Sequence, residues 1–123
     1  MNIATFGFVF AGVLLNALAQ LLLKAGANNV GAIHLSMDNL FAVGLKVAMQ
    51  LPIIGGLTCY VLSVVVWIIA LSRVDVTIAY PMLSLGYVVA AIGAWYLFGE
   101  ALTVQRMVAI GIILVGVALL ART

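Results

Sequence analysis

From Ile3 to Leu23 the chain runs without a charged residue, and it does so again from Pro52 to Leu71 and from Thr77 to Phe98. A fourth apolar run, from Val104 to Leu120, carries only Arg106 near its start. About 20 apolar residues in a helix cross the hydrocarbon core of a bilayer, which is about 30 Å thick. Inside lipid every backbone N–H and C=O must be satisfied internally, so each run is expected to be a helix and not an open strand. A soluble alternative fails on composition. Of 123 residues, 67% are hydrophobic and only 7% charged, against about 25% charged in soluble domains. A domain this small cannot bury that much apolar surface in water. The expected fold is therefore an all-α integral membrane protein of four transmembrane helices, with residues 1–123 forming a single membrane domain.

The connections differ in length. Ser72-Arg73-Val74-Asp75 joins the second and third runs, and Gly99 to Thr103 joins the third and fourth. Both are hairpin-length, so these helices are expected to pack as antiparallel neighbours. The first connection is longer. Ala25 to Asn39 is rich in Gly, Asn and small residues and reads as loop. Leu40 to Gln50 is apolar but interrupted by Lys46 and reads as a short interfacial helix or an early start of the second span. His34 and Asp38 fall in the loop half and are read as solvated. With one cysteine, Cys59, and one histidine, neither a disulfide nor a metal site is expected, and no cofactor. No basic stretch precedes the first apolar run, so that run is expected to be retained as a helix and not removed as a signal peptide.

Four spans place the first and third loops on one side of the membrane, with Lys24, Lys46 and Arg106. The other side holds the second loop and both termini, with Arg73 and Arg122. That difference is too small to set an orientation, and the net charge of +2 is too scattered to attract nucleic acid. Four helices can hardly enclose a transport path and still fill their own core, so a dimer is expected. The fourth helix offers the face for it. Ala109 and Gly116 are seven residues apart, as are Gly111 and Ala118, and small residues let helix backbones approach where lipid supplies no hydrophobic drive.

Polar residues at bilayer depth are costly and call for a function. Asn16, Gln20 and Lys24 follow at intervals of four and share one helical face. The amides suit sugar hydroxyls or a partner helix, and Lys24 at the boundary suits a phosphate as a point charge. Tyr60, Ser63 and Trp67 form a second stripe, and Tyr80, Ser84 and Tyr87 a third. Two such stripes face to face would line a groove with rings and hydroxyls. Ser63 and Ser84 have a simpler use, bonding to carbonyls one turn earlier. Trp95 and Tyr96 sit where interfacial anchors are expected. Pro81 removes a helical hydrogen bond and predicts a kink, with Gly86 adding flexibility. No span holds a carboxylate, which a proton-coupled cation exporter would need. No nucleophile–base pair is visible either, so an enzyme is not expected.

The run Ile78-Ala79-Tyr80-Pro81-Met82-Leu83-Ser84-Leu85-Gly86-Tyr87-Val88 resembles the third helix of the small subunits of the aminoarabinose–phosphoundecaprenol flippase, in the drug/metabolite transporter superfamily. Ala19-Gln20-Leu21-Leu22-Leu23-Lys24 is similar to the first-helix pattern of those subunits. Gly56 through Trp67 resembles a second helix, and Phe98-Gly99-Glu100-Ala101-Leu102-Thr103 the ending shared across the superfamily. The resemblance implies a small-multidrug-resistance-like four-helix bundle in a bacterial inner membrane. It implies a homodimer, or half of a pair of similar subunits, that moves a polyprenyl-phosphate-linked sugar between leaflets. Asn16 stands where the multidrug exporters of the superfamily carry a glutamate, which weakens an exporter of cationic compounds as the alternative. A non-transporting membrane subunit of a glycolipid-modifying complex is the other alternative. On the flippase reading, Asn16, Gln20, Lys24, Tyr60, Ser63, Trp67, Tyr80, Ser84 and Tyr87 contact the headgroup.

Overall fold

The computed structural model describes residues 3–31 and 37–122; His34 lies outside them. The described residues are helical, with no strand among them. Helix α1 spans Ile3–Val30, α2 Leu40–Ala48, α3 Leu51–Leu71, α4 Val76–Ala79, α5 Leu85–Phe98 and α6 Val104–Ala121. A 3₁₀ turn, Pro81–Ser84, links α4 to α5, so residues 76–98 form one interrupted span. With α1, α3 and α6, that span makes four segments long and apolar enough to cross a bilayer. The chain is a multi-pass α-helical membrane protein.

Helix α1 does not stop at Leu23 but continues to Val30. Lys24 is no helix breaker, and the Gly and Asn that read as loop are absorbed into the last turns. Gly26 is buried there, and a Cβ on it would collide with the Ile53 side chain of α3. The helix ends at Gly31, whose φ of 85° is left-handed and whose N–H bonds to Ala27 O at 2.9 Å. Such a residue commonly closes a helix. Pro52 falls in the first turn of α3, where its missing N–H costs nothing. Thr103 caps α6, its side chain accepting from Arg106 N at 3.2 Å. At the end of α5, Gly99 turns left-handed at φ 68°, and Glu100 N–H reaches back to Ala94 O.

The interruption in the third span sits where the proline predicts it. Pro81 has no N–H to give and its ring crowds the carbonyl one turn back. The backbone responds with tighter bonding, Leu83 N–H reaching Tyr80 O, three residues back, at 3.1 Å. Gly86 has a different role from the flexibility expected of it. It is buried, and a Cβ there would lie 3.3 Å from Val13 Cγ1 and 3.5 Å from Val13 O. Its missing side chain lets α5 approach α1.

Helix α1 is the central element, packing most extensively on α3 and next on α5. The buried cluster Val9, Val13, Ala70, Met82 and Val117 draws all four spans together at one end. Arg73 of the second hairpin lies over the Phe8 ring, 4.8 Å from its centroid, at that same end. Lys24 and Glu100 meet at the opposite end, placing the first and third connections together. Helix α6 is attached mainly near the cluster, and Val117 is its only buried residue among those described.

Candidate functional site

Because α1 lies between α3 and the third span, its exposed face floors a trough with those two as walls. Residues four apart on a helix stack along one face, so Asn16, Gln20 and Lys24 follow one another along that floor. The first compartment, about 170 Å³, is lined by Gly12, Asn16, Tyr60, Ser63, Val64, Trp67, Tyr80 and Leu83. Asn16, Tyr60, Tyr80 and Leu83 also line the next, about 410 Å³, which adds Gln20, Ser84 and Tyr87. Gln20 and Ala90 carry the trough into a third, about 350 Å³, bounded by Lys24 and Glu100. Ala91, Ala94 and Glu100 pass it to a fourth, about 280 Å³, beside Arg106 and Ala109. From Gly12 to Lys24 this path follows α1 for about 18 Å at 1.5 Å per residue.

All nine residues singled out as headgroup contacts from the sequence border this trough. The α3 stripe and the third-span stripe stand on opposite walls, with the 3₁₀ turn presenting Ser84 between Tyr80 and Tyr87. Their surroundings differ. Ser63 is buried and its hydroxyl donates to Tyr60 O at 2.6 Å, the local bond expected of a helical serine. Tyr80 and Tyr87 lie at the rim, 65% and 53% exposed. Asn16 is half-buried. The side-chain amides of Asn16 and Gln20 make no hydrogen bond among the described residues. In lipid an amide without a partner is expensive, so these groups are poised for a second chain, water or a polar ligand.

Lys24 has company that the sequence did not announce. Its Nζ stands 3.9 Å from Glu100 Oε2, both side chains about half-exposed. That separation is an ion pair but exceeds hydrogen-bond length, which leaves both groups able to take other partners. Arg106, one turn into α6, donates from Nη1 to Ala101 O at 2.7 Å and so orders the connection that carries Glu100. Nothing in the spacing of Lys24 and Glu100 reveals their meeting; only the hairpin direction of the third loop hinted at it. No group of His, Cys, Asp and Glu able to hold a metal occurs among the described residues.

The proposed dimer residues lie apart from the trough, except Ala109 at its far end. Ala109, Gly116 and Ala118 are exposed and Gly111 half-exposed. A Cβ on Gly111 or Gly116 would meet nothing within 4 Å. Ala109 and Gly116 lie on one side of α6 and Gly111 and Ala118 near the opposite side, and neither glycine is closely packed within the chain.

The model of the EamA-like transporter family matches residues 1–122. A protein of Yersinia enterocolitica serotype O:8, named probable 4-amino-4-deoxy-L-arabinose-phosphoundecaprenol flippase subunit ArnF, is 34% identical, over 94% of this chain and 91% of its own. The protein with the same name from Sodalis glossinidius is 36% identical over 94% of this chain and 88% of its own. A protein of Pseudomonas savastanoi pv. phaseolicola, named probable subunit ArnE of that flippase, is 42% identical over 54% of this chain and 58% of its own. No solved structure matches the chain.

Proposed function

The chain belongs to the EamA-like transporter family, among the ArnF-like flippase subunits, and from that premise we propose that it moves a polyprenyl-phosphate-linked aminosugar across the bacterial inner membrane. It is a transporter subunit and not an enzyme. The observation that carries this reading is the trough itself: a polar path cut into the face of an apolar bundle, with the Asn16 and Gln20 amides unpaired among the described residues and a lysine at its mouth. The tail of such a lipid is as apolar as the bilayer and stays in it. Only phosphate and sugar need a polar route, so an open-sided trough suffices where a closed channel would not.

Each residue type has a task on this reading. Lys24 supplies the charge for the phosphate. Asn16 and Gln20 offer donors and acceptors to sugar hydroxyls. Tyr60, Trp67, Tyr80 and Tyr87 give the sugar flat faces and hydroxyls, and Ser63 and Ser84 offer acceptor oxygens. The 3₁₀ turn is the place where the third span bends as the headgroup passes. The uncovered side of α6 that carries Gly116 seats a second small subunit, a copy of this chain or an ArnE-like partner, as the pairing of subunit names suggests. The alternative of proton-coupled cation export loses ground because Asp38, Asp75 and Glu100 all lie outside the four spans.

The test is reconstitution in liposomes with a labelled polyprenyl-phosphate aminosugar, following how fast outer-leaflet label becomes protected. Protection above empty liposomes that falls at least about tenfold in Lys24→Ala, with equal protein inserted, is the expected result, since tenfold corresponds to about 1.4 kcal/mol. Equal loss of inserted protein and of transport would make Lys24 structural.

A further inference from the structure

The loose pair at the mouth of the trough carries information about which headgroup fits. Lys24 Nζ and Glu100 Oε2 are 3.9 Å apart, too far to satisfy each other with a hydrogen bond. Beside them lies a compartment of about 350 Å³, with Gln20 and Leu21 of α1 below and Ala90, Ala91 and Ala94 of α5 as its wall. The three alanines leave the space beside the two charges unfilled. The ammonium keeps three donors and the carboxylate two acceptor oxygens for whatever enters. Glu100 is held in place by its backbone, its N–H bonding to Ala94 O after the left-handed turn at Gly99. The lysine is held by α1, which continues as helix to Val30.

The two side chains therefore place a positive and a negative group beside one space. A sugar joined through phosphate to a lipid alcohol carries one negative charge, and an unacylated amino group on that sugar adds one positive charge. Such a headgroup is an opposed couple. We propose that Lys24 and Glu100 together select a zwitterionic headgroup, Lys24 taking the phosphate and Glu100 the sugar ammonium. This rests on the flippase reading and adds to it a second recognition residue, Glu100, outside the four spans. Each charge of the internal pair exchanges one opposite partner for another, so no uncompensated charge is left at the membrane boundary, where it would be costly. A headgroup with a phosphate and no ammonium would take Lys24 and strand Glu100. Rejection by an unpaired group is how such sites discriminate.

The test reads binding, separately from transport. The purified full chain in detergent is titrated with a short-chain polyprenyl-phosphate 4-amino-4-deoxy-L-arabinose and with its N-acetyl derivative, which keeps the phosphate and loses the ammonium. Binding is read by isothermal titration calorimetry. The wild type is expected to prefer the amine by about tenfold, the factor that about 1.4 kcal/mol carries. Glu100→Gln should erase that preference, and Glu100→Asp, which keeps the charge, should retain most of it. Equal binding of both lipids by the wild type, binding of neither, or an undiminished preference in Glu100→Gln overturns the proposal. The liposome assay speaks to the other reading: selective binding without protected label would leave the selection standing and remove flipping.

Discussion

Adding one methyl group at neighbouring positions of α3 should move stability in opposite directions. At Gly56 a Cβ would lie 3.0 Å from the Ala19 carbonyl oxygen and 3.1 Å from Leu23 Cγ and Cδ2. The leucine can rotate aside, but the carbonyl belongs to the α1 backbone and moves only if the two helices separate. At Gly55 the Cβ would meet Leu22 Cδ1 at 3.7 Å, an ordinary contact. Both changes gain the same helix-propensity term, up to about 1 kcal/mol. Only Gly56→Ala incurs overpacking, typically about 1–3 kcal/mol. The propensity term cancels in the comparison, so Gly56→Ala should be less stable than Gly55→Ala by about 1–3 kcal/mol. The assay is unfolding in mixed micelles by rising SDS mole fraction, followed by far-UV circular dichroism. If Gly56→Ala resists SDS as well as Gly55→Ala does, then α1 and α3 are not held at the distance described, and the trough floor loses its frame.

Pro81→Ala should restore a helical N–H and raise resistance to SDS, since proline inside a helix costs about 3 kcal/mol; protection of labelled lipid should slow in the same protein, and an unchanged rate would remove the break from transport. Gly116→Ile meets open space within the chain, so the monomer should fold normally while cross-linked dimer in membranes falls; undiminished cross-linking would move the subunit contact away from this face.

The four spans were legible because lipid imposes one demand, long apolar runs with internal bonding, and the chain meets it openly. Stripes spaced three and four apart were equally readable, which is why residues from three separate spans border one trough. Other features depend on contacts between distant segments. The extension of α1 beyond Lys24 is stabilised by Gly26 beneath Ile53, a contact invisible to composition. Gly86 looked like a source of flexibility because its neighbour in space, Val13, is far off in sequence. Lys24 looked like a solitary phosphate ligand because Glu100 is carried to it by the third-loop hairpin. The small residues of α6 suggested packing somewhere, but spacing alone does not say against what; within the chain they remain uncovered.

The buried cluster that gathers the four spans lies at the end holding the termini, while the charged mouth lies at the other. Helix α1 also packs on α3 and α5 at the charged end, through Gly26 and Ile53, Gly56 and Leu23, and Gly93 and Leu21. Helix α6, attached mainly near the cluster, is the one arm without such a second tie among the described residues. A rotation of α6 by about 10° about Val117 would displace Arg106, about 16 Å along the helix, by about 3 Å, so repacking Val117 or Met82 should alter the compartment beside Arg106 that those side chains do not line.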